Sequence, residues 1–90
     1  MKENQVVKRC ISWIKDHGGY ARKIHGNRYT AGIPDVLGCI DGQMIVIECK
    51  TPSGTATKLQ EAELRKWREA GAESFVWHGE RNLSDVLEVG

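Results

Sequence analysis

Apolar residues fall at Val7, Cys10, Ile11 and Ile14, the three- and four-residue steps of one helix face, and Gly18-Gly19 interrupts the repeat. The pattern predicts a helix over about residues 3–17. Tyr20 to Ile24 has strand character and leads into a polar, glycine-bearing loop from His25 to Gly32. Two extended runs follow, Val36 to Ile40 and Met44 to Ile47, separated by Asp41-Gly42, a strong hairpin-turn signal. Pro52-Ser53-Gly54 ends the hairpin, Thr57-x-x-Gln60 is a capping-box pattern opening a helix that runs to Ala70, and Gly71 supplies the stop. A short strand at Phe75-Val76-Trp77 and a final short helix from Ser84 to Val89 complete the expected path. The order helix, three strands, helix, strand predicts an α/β fold with a central mixed β-sheet flanked by helices. A doubly wound nucleotide-binding fold fits poorly, because it would need repeated βαβ units and a Gly-rich phosphate loop, and neither is present.

The hairpin has a chemical consequence. Pro34 fixes its φ and lacks an N–H, so it suits a strand start, and Asp35 opens the first strand. Side chains alternate with a period of two, so Glu48 and Lys50 share one face while Ile45, Ile47 and Cys49 take the other. Because Asp41-Gly42 reverses the chain, Asp35 and Glu48-x-Lys50 arrive at the same end of the hairpin. Two carboxylates and an ammonium placed in this way suit a hard divalent ion and a water directed at a phosphodiester. Asp35 and Glu48 are the expected metal ligands, with the Cys49 backbone carbonyl as a third. Mg2+ is the expected ion and Mn2+ its substitute. Lys50 is expected to orient the attacking water and stabilise developing charge. The competing reading is a surface Glu-Lys pair at a strand end.

Composition narrows the class without naming the chemistry. Ninety residues at 40% hydrophobic content predict one domain over residues 1–90. No apolar run approaches membrane-span length and no signal-peptide pattern is present, so a cytoplasmic location with no membrane association is expected. Cys10, Cys39 and Cys49 lie on apolar stripes without Cys-x-x-Cys spacing and read as reduced core thiols. The formal net charge of +1 does not advertise a nucleic-acid binder, but local distribution matters more than the total. Arg22, Lys23, His25 and Arg28 form the densest basic segment, leading into Pro34-Asp35. They read either as a solvated loop or, for Arg22, Lys23 and Arg28, as phosphate contacts.

Pro34-Asp35, a short hairpin and Glu48-x-Lys50 together resemble the PD-(D/E)xK nuclease superfamily. The Gly32-x-Pro34-Asp35 form, Gln60 in the following helix and the small size are similar to the stand-alone virus-type replication-repair nuclease (VRR-NUC) domain. The resemblance spans roughly Glu3 to Trp77 and implies a restriction-endonuclease-like fold. It further implies a metal-dependent, structure-selective endodeoxyribonuclease of phage or bacterial origin, acting as a homodimer on branched DNA such as four-way (Holliday) junctions. It draws Glu3 into the site. Helix physics alone leaves Glu3 either in solvent at the first turn or aimed at a cation. Gln60 shares a stripe with Leu64 and Trp67 and so looks toward the sheet; the resemblance implies that it supports Lys50 or the water, beside its role as the cap partner of Thr57.

Other chemistries fit less well. His17, His25 and His78 show no metal spacing, and Trp13, Trp67 and Trp77 read as core or interface rather than base-stacking platforms. Trp13, Trp77 and the tail Val86-Leu87-Val89 are candidates for a dimer seam or for burial within one subunit. Two rival functions are a catalytically silent nucleic-acid-binding module of the same fold and a protein-interaction domain. Against the first, a pure binder gains nothing from carboxylates that repel phosphate.

Overall fold

The structure is a computed structural model that describes residues 2–25, 32–80 and 82–87. The chain runs α1 (Glu3–Asp16), β1 (Tyr20–Lys23), β2 (Val36–Ile40), β3 (Gln43–Cys49), α2 (Lys58–Glu69), β4 (Glu73–Trp77) and a 3-10 turn (Leu83–Asp85). This is the expected order, except that the tail forms a 3-10 turn in place of the predicted helix.

The sheet order is β1-β2-β3-β4. Asp41 and Gly42 have φ of 50° and 79°, the left-handed pair that a two-residue hairpin turn matching strand twist requires. That turn pairs Ile40 with Gln43 and, at the far end, Val36 with Ile47. One step further, Asp35 stands across from Glu48. β1 and β2 are also antiparallel, whereas α2 carries the chain back across the sheet so that β4 runs parallel to β3.

Each sheet face has its own helix. Ile45, Ile47 and Cys49 of β3 pack with Val6, Val7, Cys10 and Ile14 of α1, joined by Val36, Ile40, Trp77, Leu83 and Leu87. On the opposite face Val46 packs with Leu64 and Ala72, flanked by Leu37, Met44, Trp67 and Val76. Ile45, Val46 and Ile47 are fully buried, and burial of each such side chain contributes about 1.5–3 kcal/mol. β3 is therefore a firm rod whose C-terminal end carries Glu48 and leads directly into Lys50.

α2 lies mainly on β3 and β4, so among the described residues the β1–β2 part of that face beyond Leu37 is left uncovered. This corrects the reading of Cys39: Cys10 and Cys49 are buried, but Cys39 is exposed on the uncovered face. Trp77 and Leu87 are buried within the subunit, which removes them as seam residues. Val89 lies outside the described residues.

Candidate active site

The Gly32-x-Pro34-Asp35 segment is shaped by its neighbours. Gly32 has φ 87°, and a Cβ there would stand 3.1 Å from the Leu59 carbonyl oxygen in the first turn of α2. Only glycine takes this conformation without strain while the chain passes so close to the helix. Pro34 is buried. Asp35 immediately precedes β2, and its carbonyl accepts from the Ile24 amide at 2.8 Å.

Carboxylate oxygens of Glu3, Asp35 and Glu48 lie within 4.8 Å of one another, the one such acidic, histidine or cysteine cluster among the described residues. They come from three separate elements. The Cys49 amide donates to Asp35 Oδ2 at 2.9 Å. In an extended strand a residue's N–H and C=O point to the same side, so the Cys49 carbonyl is turned toward the Asp35 side as well. The thiol lies on the opposite face, in the core against α1, where the Cys10 thiol and then burial push its pKa strongly upward.

Glu48 is the centre of the arrangement. Its Oε1 accepts from Gln60 Nε2 at 3.1 Å, and Lys50 Nζ stands 3.7 Å from the same oxygen. Its Oε2 is buried and meets no donor. Burial, the close approach of the Asp35 carboxyl and the charges of Asp35 and Glu3 push the Glu48 carboxyl up to about 8 from the usual 4.5, against the downward pull of Lys50. An orphaned carboxylate oxygen among three acids and one ammonium is a charge imbalance that an oxygen-seeking cation would correct. The residues present fit such an ion.

Gln60 fills both roles considered for it. Its Oε1 accepts from the Thr57 backbone amide at 2.9 Å, and its backbone N–H donates to Thr57 Oγ1 at 3.1 Å, which completes the capping box. With the carbonyl end held by the cap, the NH2 end is left to Glu48, so the cap sets the orientation of the amide.

His78 is a neighbour that periodicity did not single out. It follows β4 opposite Lys50 in the parallel register, and its Nε2 donates to the Gly54 carbonyl at 3.0 Å, pinning the turn between Lys50 and α2. Knowledge that β4 pairs parallel to β3 would have been needed to find it. His17 instead stacks on Trp13 at 3.9 Å between ring centroids. Arg22 and Lys23 are exposed on β1, whereas Arg28 lies outside the described residues.

No protein of curated function matches the chain. A solved structure titled "VRR_NUC domain" superposes with a TM-score of 0.80 at 26% identity, covering 98% of this chain and 96% of that one. The four-stranded mixed sheet flanked by helices is thus a PD-(D/E)xK-like fold, as the hairpin motif implied. The profile of the archaeal Holliday junction resolvase family (Hjc) matches residues 3–88. A match of that extent, laid over this fold, decides the question of kinship: the chain belongs to the Holliday junction resolvase family and is a nuclease domain.

Proposed function

We propose that the protein is a Mg2+-dependent, structure-selective endodeoxyribonuclease that hydrolyses phosphodiester bonds in branched DNA, four-way junctions above all. The observation that carries this reading is the buried, donorless Glu48 Oε2 inside the Glu3, Asp35 and Glu48 cluster, beside Lys50. Asp35, Glu48 and the Cys49 carbonyl would hold the ion, with Glu3 as a further carboxylate of the cluster. Mn2+ substitutes for Mg2+ because both accept hard oxygen ligands. When bound, the ion supplies positive charge to the phosphoryl oxygens and acidifies a water for attack.

The chain's own groups do the rest. Lys50, half-buried and anchored near Glu48 Oε1, orients the attacking water and offsets negative charge that develops at phosphorus. Gln60 fixes the rotamer of Glu48 and thereby the direction of its free oxygen. The Cys49 amide fixes Asp35 in the same manner. Arg22 and Lys23 on β1, with Arg28, meet phosphates.

Symmetric cleavage of a junction needs two sites held at a fixed separation. Each chain carries one acidic cluster among its described residues, so the protein works as a two-fold homodimer, the commonest closed symmetry. A panel of labelled linear, flapped and four-way DNA with Mg2+ or Mn2+ tests the reading. Preferential cutting of the junction is expected, and metal-independent cutting, or none, would overturn it.

A further inference from the structure

A groove of about 420 Å³ runs between α1 and the outer edge of β1. Lys15, Arg22, Lys23 and His25 line it with Tyr20 and Ile11, and among the described residues no carboxylate does. Tyr20 is 60% exposed. Lys15 Nζ lies 5.7 Å from the centroid of its ring, so the ring is held from one side and open on the other.

Strand alternation ties this groove to the carboxylates. Ala21 is buried against α1, so Tyr20 and Arg22 project to the opposite face, the one that carries Asp35 and Glu48. Arg22 pairs with Leu37 and Tyr20 with Cys39, two and four residues along β2 from Asp35. These are steps of about 7 Å and about 14 Å at strand rise. One nucleic-acid strand carries a phosphate per roughly 3.4 Å of helix axis, so the distance to Tyr20 corresponds to about four nucleotides. α2 lies mainly on β3 and β4, and on β2 it reaches the cluster at Leu37, so among the described residues the path past Cys39 to Tyr20 stays open.

We propose, building on the nuclease reading, that the DNA strand leaving the scissile phosphate crosses the uncovered β1–β2 face and ends in the α1–β1 groove. Arg22 meets the first phosphates beyond the cut, and Lys15, Lys23 and His25 take those that follow round the edge of β1. Tyr20 receives a base or sugar on its open ring face, so the aromatic platform is this tyrosine rather than any of the tryptophans. The cations that draw in phosphate also discourage the free β1 edge from pairing with another strand.

The test is a cycle of variants and shortened DNA, read by binding with Ca2+ in place of Mg2+ and by cleavage with Mg2+. Replacing Lys15, Arg22 and Lys23 with Ala should lower the salt-dependence slope of binding by roughly 2 to 3, at about 0.9 for each duplex phosphate no longer neutralised. The loss should fall on KM more than on kcat. Tyr20→Ser should weaken binding without changing the slope. Removing the nucleotides two to four positions from the cut should weaken the wild type several-fold and the Ala variant little. Equal losses in both proteins, or an equal fall in slope when Arg65 and Lys66 on α2 are replaced, would overturn the path. Failure of the wild type to cut any DNA would instead sink the nuclease reading, and the binding cycle would still decide where DNA lies. Melting curves confirm that the exposed-site variants fold.

Discussion

Gln60 joins the cap of α2 to the acidic centre: its carbonyl oxygen accepts from Thr57 while its NH2 donates to Glu48 Oε1 at 3.1 Å. A change that keeps the cap but alters the donor separates the two jobs. Glu serves as well as Gln at this position of a capping box, so Gln60→Glu should retain most of the stability at low pH while setting a further carboxylate against Glu48. Its cleavage rate should fall by about 10²-fold, the scale of losing one electrostatic stabiliser. Gln60→Ala should lose activity and also about 1 kcal/mol of stability through the cap. Wild-type turnover in Gln60→Glu would remove Gln60 from the site.

The raised Glu48 carboxyl makes stability of the metal-free protein depend on pH. The folded form holds its proton up to about 8, whereas the unfolded chain releases it near 4.5. Between these values the folded state binds more protons, so the contribution is fully present below 4.5 and is lost as pH rises through 8. The slope is at most about 1.4 kcal/mol per pH unit. Thermal melts in EDTA at pH 5 to 8.5 should show this decline in the wild type relative to Glu48→Gln. A parallel pH course in the two proteins would show that Glu48 is not perturbed.

Mg2+ should reverse that cost. Binding to the folded state alone raises the melting temperature in proportion to the logarithm of free ion over its dissociation constant, and it competes with the Glu48 proton. The shift should be larger at pH 8 than at pH 6 and should vanish in Asp35→Asn. A Mg2+ shift of full size in Asp35→Asn would place the ion elsewhere.

Lys50→Ala should cut turnover by about 10²- to 10³-fold, since its proposed work is at the water and the transition state. Mg2+ should still bind. Loss of the Mg2+-induced melting shift to the same extent as in Asp35→Asn would make Lys50 a structural partner of Glu48 instead.

Local signals made much of this architecture legible. Asp41-Gly42 demands one turn geometry, and that turn places Asp35 across from Glu48. Thr57-x-x-Gln60 and Gly71 mark the ends of α2, whose observed cap is Thr57. Long-range facts were not legible. The proximity of Glu3 to the other carboxylates depends on how α1 lies over the sheet, and the face of Cys39 is exposed because α2 covers other strands. The position of His78 depends on the parallel pairing of β4. Tyr20 and Lys15 are five residues apart in different elements and meet only when α1 docks beside β1.

The role proposed for the carboxylate cluster is to cut branched DNA with the help of a divalent ion. The most direct measurement follows an end-labelled four-way junction with wild type and Asp35→Asn, each in Mg2+ and in EDTA, together with light scattering of the same samples. Paired, symmetric nicks are expected only for wild-type dimers with Mg2+. Nicks of equal yield in EDTA or from Asp35→Asn, or an intact junction under every condition, would contradict it.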